Sequence, residues 1–174
     1  MTLHIPDWEP DVECEVGPDW PKDTDWEAWA RIPLRCAHNV APELANSALS
    51  VSIVFGTDAE IQELNREWRG QDQPTNVLSF PMLERDELLN LAPAGPPELL
   101  GDIALALETC TREAADKGIS LEHHTAHLII HGLLHLAGYD HETSPAEARA
   151  MEMLEINALA QMGIADPYGD HEET

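Results

Sequence analysis

The chain has 174 residues and a formal net charge of −24, from 33 acidic and 9 basic side chains, with 43% of its residues hydrophobic. That length holds one domain with a real core, and the acidity by itself argues against a nucleic-acid partner, because phosphate contacts need lysine and arginine. Cys14, Cys36 and Cys110 are scattered, which argues against a disulfide framework and fits a reducing cytosol.

No basic region followed by an apolar run opens the chain, so no signal peptide is expected. No apolar stretch approaches the roughly 20 residues that cross a bilayer, so no membrane partner is expected. Many of the acids lie in the first 27 residues and in the tail from Asp166 to Thr174. Those ends can be solvating while a site elsewhere stays locally positive.

Residues 1–23 mix acids with Pro6, Pro10, Pro18 and Pro21. A strand is expected at Leu3–Ile5 or Val12–Val16, with irregular chain around it. From Asp25 to about Leu49 the pattern is helical, and Pro33 and Pro42 predict two shorter helices. Leu49, Val51, Ile53 and Phe55 alternate and predict a strand. Thr57 and Glu60 have capping-box spacing and open a helix that Gly70 stops.

Val77 to Phe80 is a short strand between prolines, hence near a sheet edge. Arg69, just before the loop, reads on residues alone as a helix C-terminal arginine complementing the dipole. Residues 82–100 read as a loop, and 101–107 as a strand. A helix over 108–117 ends at Gly118. Ser120 caps a central helix over about 121–137, apolar nearly all round apart from its histidines, hence buried. Ser144, Pro145 and Glu147 start a last helix, with Met151, Leu154, Ile156 and Leu159 as core candidates.

The central helix carries the motif His131-Gly132-Leu133-Leu134-His135-Leu136-Ala137-Gly138-Tyr139-Asp140-His141. His131 and His135 lie one turn apart on one face. Gly138 allows a positive φ and a sharp turn, which can return His141 as a third ligand. Three imidazoles and an open position make a catalytic zinc site, although the set also suits nickel or copper. His123 and His127 continue the stripe, but ligands two helical steps apart stand roughly 12 Å apart in Cα. His127 therefore reads as a pocket-wall residue, and His123 and His124 as exposed near the helix start.

The same spacing occurs in one class of zinc proteases, which need a glutamate general base after the first histidine. Here that position is Gly132, which has no side chain to accept a proton. Phosphodiester cleavage asks instead for a metal and an arginine clamp, which gives Arg69 a possible role.

The segment His131–His141 resembles the signature of the YbeY family of endoribonucleases, or rRNA maturation factors. Arg69–Asp72 with Pro74–Pro81, then Gly101-Asp102-Ile103 and Asp166-Pro167-Tyr168, resemble its further motifs in order. The resemblance spans roughly residues 50–168. It implies an α+β single domain, with a small mixed β-sheet packed with helices and a central helix carrying the metal-binding histidines. An acidic proline-rich segment (1–24), a catalytic domain (25–168) and an acidic tail (169–174) are expected.

It further implies one Zn2+ per chain, held by His131, His135 and His141, with Arg69 as the catalytic arginine on the scissile phosphate. Ser79, Asp102 and His127 are expected to line the cleft. The implied activity is single-strand-specific RNA cleavage in the cytoplasm, in 16S rRNA 3′-end maturation and ribosome quality control. Implied partners are the small ribosomal subunit, its proteins and a ribosome-assembly GTPase. The alternatives are a zinc hydrolase or protease-like enzyme, and a ribosome-assembly binding factor with little turnover.

Overall fold

The computed structural model describes residues 11–92, 95–140 and 144–168. The expected strand at Leu3–Ile5, the third histidine His141 and the acidic tail lie outside the described residues. Four strands run β1 (Asp11–Val16), β2 (Leu49–Gly56), β3 (Val77–Pro81) and β4 (Glu98–Ala106). Six helices are α1 (Trp26–Val40), α2 (Asp58–Arg69), α3 (Arg85–Leu89), α4 (Leu107–Lys117), α5 (Leu121–Leu136) and α6 (Pro145–Ala160), with a 3-10 turn at Pro42–Leu44.

The sheet order is β1-β2-β4-β3. The first three strands are mutually parallel, and β3 lies antiparallel on the edge of β4. This is the mixed sheet of an α+β domain, as expected. Alternation decides the faces: Val51, Ile53 and Phe55 of β2, with Ile103 and Leu105 of β4, are buried toward the core that α5 fills. The opposite face carries Leu78, Ala104 and Ala106, which pack with Ile61 of α2.

Caps set the helix starts. Thr57 and Glu60 complete a capping box at α2, Ser120 Oγ accepts from the His123 N–H at 3.1 Å, and Ser144 Oγ accepts from the Glu147 N–H at 3.1 Å. Each supplies an acceptor to an otherwise unpaired first-turn donor.

Three sequence expectations are corrected. Pro33 does not split α1, which runs unbroken for 15 residues. Burial of Trp26, Ala30, Pro33, Leu34 and Ala37 on one stripe outweighs the roughly 3 kcal/mol that an interior proline costs. Residues 82–100 are not one loop: they contain α3 and the first residues of β4. The strand expected at Val12–Val16 is present as β1, and the described residues before Thr24, expected to be solvating, belong to the folded body. There β1 pairs with β2 along its whole length, and Trp20, 1% exposed, donates its indole N–H to Gly56 O at 2.9 Å. Trp20 meets Trp26 and Phe55 edge-on, with ring centroids 4.9 and 5.1 Å apart. That burial holds residues 17–23 against the core.

Candidate active site

Helix α5 is buried along most of its length, and its approach to the sheet positions everything that follows. Gly132 sits against β4: a Cβ there would lie 3.1 Å from Ile103 Cδ1. The absence of a side chain lets the helix lie close, and the same residue therefore faces the sheet. A neighbouring side of α5, about a quarter turn round, presents His124, His127, His131 and His135 to a cleft of about 580 Å3. Its other walls include Arg69 of α2, Ser79 of β3, Glu113 of α4 and Tyr168 from the segment after α6.

His131 and His135 converge, with Nε2 atoms 3.1 Å apart and ring centroids 4.6 Å apart. Two nitrogens bound tetrahedrally at 2.0–2.1 Å to one ion would stand about 3.3 Å apart. The pair therefore fits two ligands of one zinc. Among the described residues no group of three or more His, Cys, Asp or Glu side chains is placed to hold a metal. His141 lies outside them. The turn leading to it is described: Gly138 takes φ +101°, Arg85 packs on it, and the Arg85 guanidinium lies 4.7 Å from the Tyr139 ring centroid.

Behind the histidine pair stands Glu155 of α6, 1% exposed. Its Oε2 accepts from His131 Nδ1 at 2.8 Å and its Oε1 from His127 Nε2 at 2.7 Å. The Tyr168 hydroxyl donates to Oε1 as well. Burial pushes this carboxyl up, but the hydrogen bonds from His127 and His131, the charge of His131 and the Tyr168 hydroxyl hold it down, to about 2. It is a carboxylate, and a carboxylate only accepts. His131 therefore donates from Nδ1, and the ring directs Nε2 to the point it shares with His135. Burial and the same carboxylate drive the Tyr168 phenol far up, so it remains a donor.

Arg69 lies on the cleft wall. Its Nη2 donates to Ser79 O at 3.0 Å, and its guanidinium lies 5.7 Å from the Phe80 ring centroid. One hydrogen bond uses one of five N–H donors. Ser79 and His127 line the cleft and Asp102 does not. Asp102 pairs with Phe80 across the sheet and shares the face of Ala104 and Ala106, the one covered by α2. Period-two alternation separates it from the histidines.

His123 and His124 are not exposed, contrary to the sequence reading. His123 is half-buried with its ring 6.0 Å from Trp29, and His124 is 2% exposed. His124 Nε2 lies 2.8 Å from Glu113 Oε1, which also accepts from Asn76 Nδ2 at 3.0 Å. Burial lowers the His124 pKa, against the hydrogen bond and charge of Glu113 that raise it. Sequence reasoning missed Glu113 and Glu155. A signal for Glu155 exists: it stands on one helical stripe with buried Met151 and Leu159, where an acid needs partners.

The relatives of this chain are endoribonucleases. The Endoribonuclease YbeY of Erythrobacter litoralis is 60% identical over 159 residues, 91% of this chain and 98% of the relative. That of Novosphingobium aromaticivorans is 56% identical over 160 residues, 91% of this chain and 96% of the relative. The solution structure of TM1509 from Thermotoga maritima shares the fold, with a TM-score of 0.56 at 23% identity, over 94% of this chain and 99% of that one. Residues 19–163 match the family Endoribonuclease YbeY, and the chain belongs to that family. No helix among the described residues is long and apolar enough to cross a membrane.

Proposed function

We propose that this chain is a zinc-dependent endoribonuclease that cuts single-stranded rRNA, in maturation of the 16S rRNA 3′ end and in ribosome quality control, in the cytoplasm. The observation that carries the reading is the convergence of His131 and His135, Nε2 to Nε2 at 3.1 Å, on a cleft that Arg69 also lines. Family membership supplies the nuclease activity.

His131, His135 and His141 would hold one zinc ion. When bound, it supplies a water of lowered pKa and positive charge for a phosphoryl oxygen. Glu155 keeps the His131 proton on Nδ1. A guanidinium is a permanent cation, and Arg69 offers its remaining N–H groups to the scissile phosphate, where negative charge grows in the transition state. Gly132 brings no base and faces Ile103, which disfavours the protease alternative.

The charge of −24 favours a substrate presented by the small ribosomal subunit and its proteins over one captured from solution. A ribosome-assembly GTPase is a further proposed partner. The test is cleavage of labelled single-stranded RNA carrying the small-subunit 3′ end, and of immature small subunits. Wild-type protein should cut at least one of them. Chelation should abolish cutting, and Arg69→Ala should slow it by roughly 10²–10³-fold, as for loss of an oxyanion donor. A zinc-loaded wild-type chain that leaves both substrates intact overturns the reading.

A further inference from the structure

Glu155 is a fully buried acid. Three donors reach its two oxygens, from His127, His131 and Tyr168. Among the described residues no lysine or arginine pairs with it; its ion-pair contacts are the two imidazoles. Helix α6 fills the same stripe with Met151 and Leu159, and an apolar residue at 155 would avoid the desolvation of a charge. The carboxylate therefore needs a reason.

The reason lies one ring away. Glu155 Oε2 holds His131 by Nδ1, which aims Nε2 at the point shared with His135. A carboxylate behind a metal-binding imidazole fixes its tautomer and orientation and raises its basicity. A dication at the shared point would also offset the buried negative charge.

We infer that Glu155 is the positioning residue of the metal site, setting the ring and proton of His131, and that Tyr168 and His127 hold the carboxylate in turn. This rests on the metal reading above. It makes the segment after α6 part of the site, because Tyr168 returns from eight positions past Ala160 to line the cleft. His127 acquires a role without touching the ion.

The test compares the full chain as wild type, Glu155→Gln and Tyr168→Phe. Zinc affinity is read by competition with a chromogenic chelator, and folding by circular dichroism. The His131 tautomer is read from imidazole 15N shifts of the metal-free protein. Glutamine keeps the shape but removes the charge and one acceptor. Folded Glu155→Gln should bind zinc 10–100-fold more weakly, the range for loss of such a partner, and Tyr168→Phe should fall between it and wild type. Metal-free wild type should show His131 protonated on Nδ1. Equal zinc affinity in folded wild type and Glu155→Gln overturns the inference, and so does a His131 without a proton on Nδ1 if that variant does not fold. A wild-type chain that takes up no zinc sinks the metal reading itself.

Discussion

Tyr139 donates its hydroxyl to Glu43 Oε2 at 2.7 Å, across 96 positions of sequence. Arg85 Nη1 lies 3.0 Å from the same oxygen and donates to Ala137 O at 2.6 Å. The turn that ends the histidine helix is thereby anchored to the 3-10 turn and to α3. Burial raises the Glu43 carboxyl, but the bonds from Tyr139, the backbone and Arg85 outweigh it and hold it below the usual range.

Tyr139→Phe should therefore destabilise the chain by about 1 kcal/mol in urea unfolding, the net value of one such hydrogen bond. Glu43→Gln should also destabilise at neutral pH. A depressed carboxylate stabilises above its unfolded pKa, and that stability is lost as the pH falls through the folded pKa. The gap between wild type and Glu43→Gln should accordingly close in acid. A gap that widens below pH 4 contradicts the assignment.

Gly132 separates two substitutions. A methyl there meets Ile103 at 3.1–3.5 Å, a strain offset by the roughly 1 kcal/mol gain in helix propensity of alanine over glycine. Gly132→Ala should stay within about 1 kcal/mol of wild type. Gly132→Glu, which restores the protease-type residue, forces a charge against the sheet and should cost more than about 3 kcal/mol without producing peptidase activity. Thermal melts and a casein assay decide both points.

His38 is buried in α1, and burial, with the charge of Arg35, pushes its pKa down to about 4. The folded chain thus resists a proton that the unfolded chain accepts near pH 6.5. Stability should be full above pH 6.5 and fall on acidification toward pH 4, at up to about 1.4 kcal/mol per pH unit from this group. Urea midpoints of wild type and His38→Gln at pH 7, 6 and 5 test this. A wild-type profile no steeper than the variant's rules it out.

The cleft offers few cations to RNA, Arg69 and Lys117 among its lining residues. With two phosphate contacts, the slope of log K against log salt for a naked single strand should be no steeper than about −1.4. Fluorescence anisotropy between 50 and 200 mM salt measures it. A slope near −4 would require a basic surface, at odds with a net charge of −24.

Local chemistry made much of the fold legible. The alternation in β2, the capping box at Thr57, the edge prolines around β3 and the glycine stops at Gly70 and Gly118 all act within a few residues. The His131/His135 pair is likewise a consequence of helical pitch, and Gly132 already disfavoured one chemistry. The family resemblance could be read from the motifs alone.

Tertiary structure decided the rest, because those contacts join residues far apart in the chain. Pro33 stays helical because its stripe is buried, a gain that no local rule contains. Trp20 ties the residues around Pro18 and Pro21 to the core through Trp26, Phe55 and Gly56. Asp102 turns away from the cleft because β4 alternates and α2 covers that face. Glu155 reaches His131 across 24 positions, and its role depends on α6 packing beside α5. By itself the sequence determined which imidazoles share a helical face. Only the packing of other elements against that face decided where those rings point, and which carboxylate holds them there.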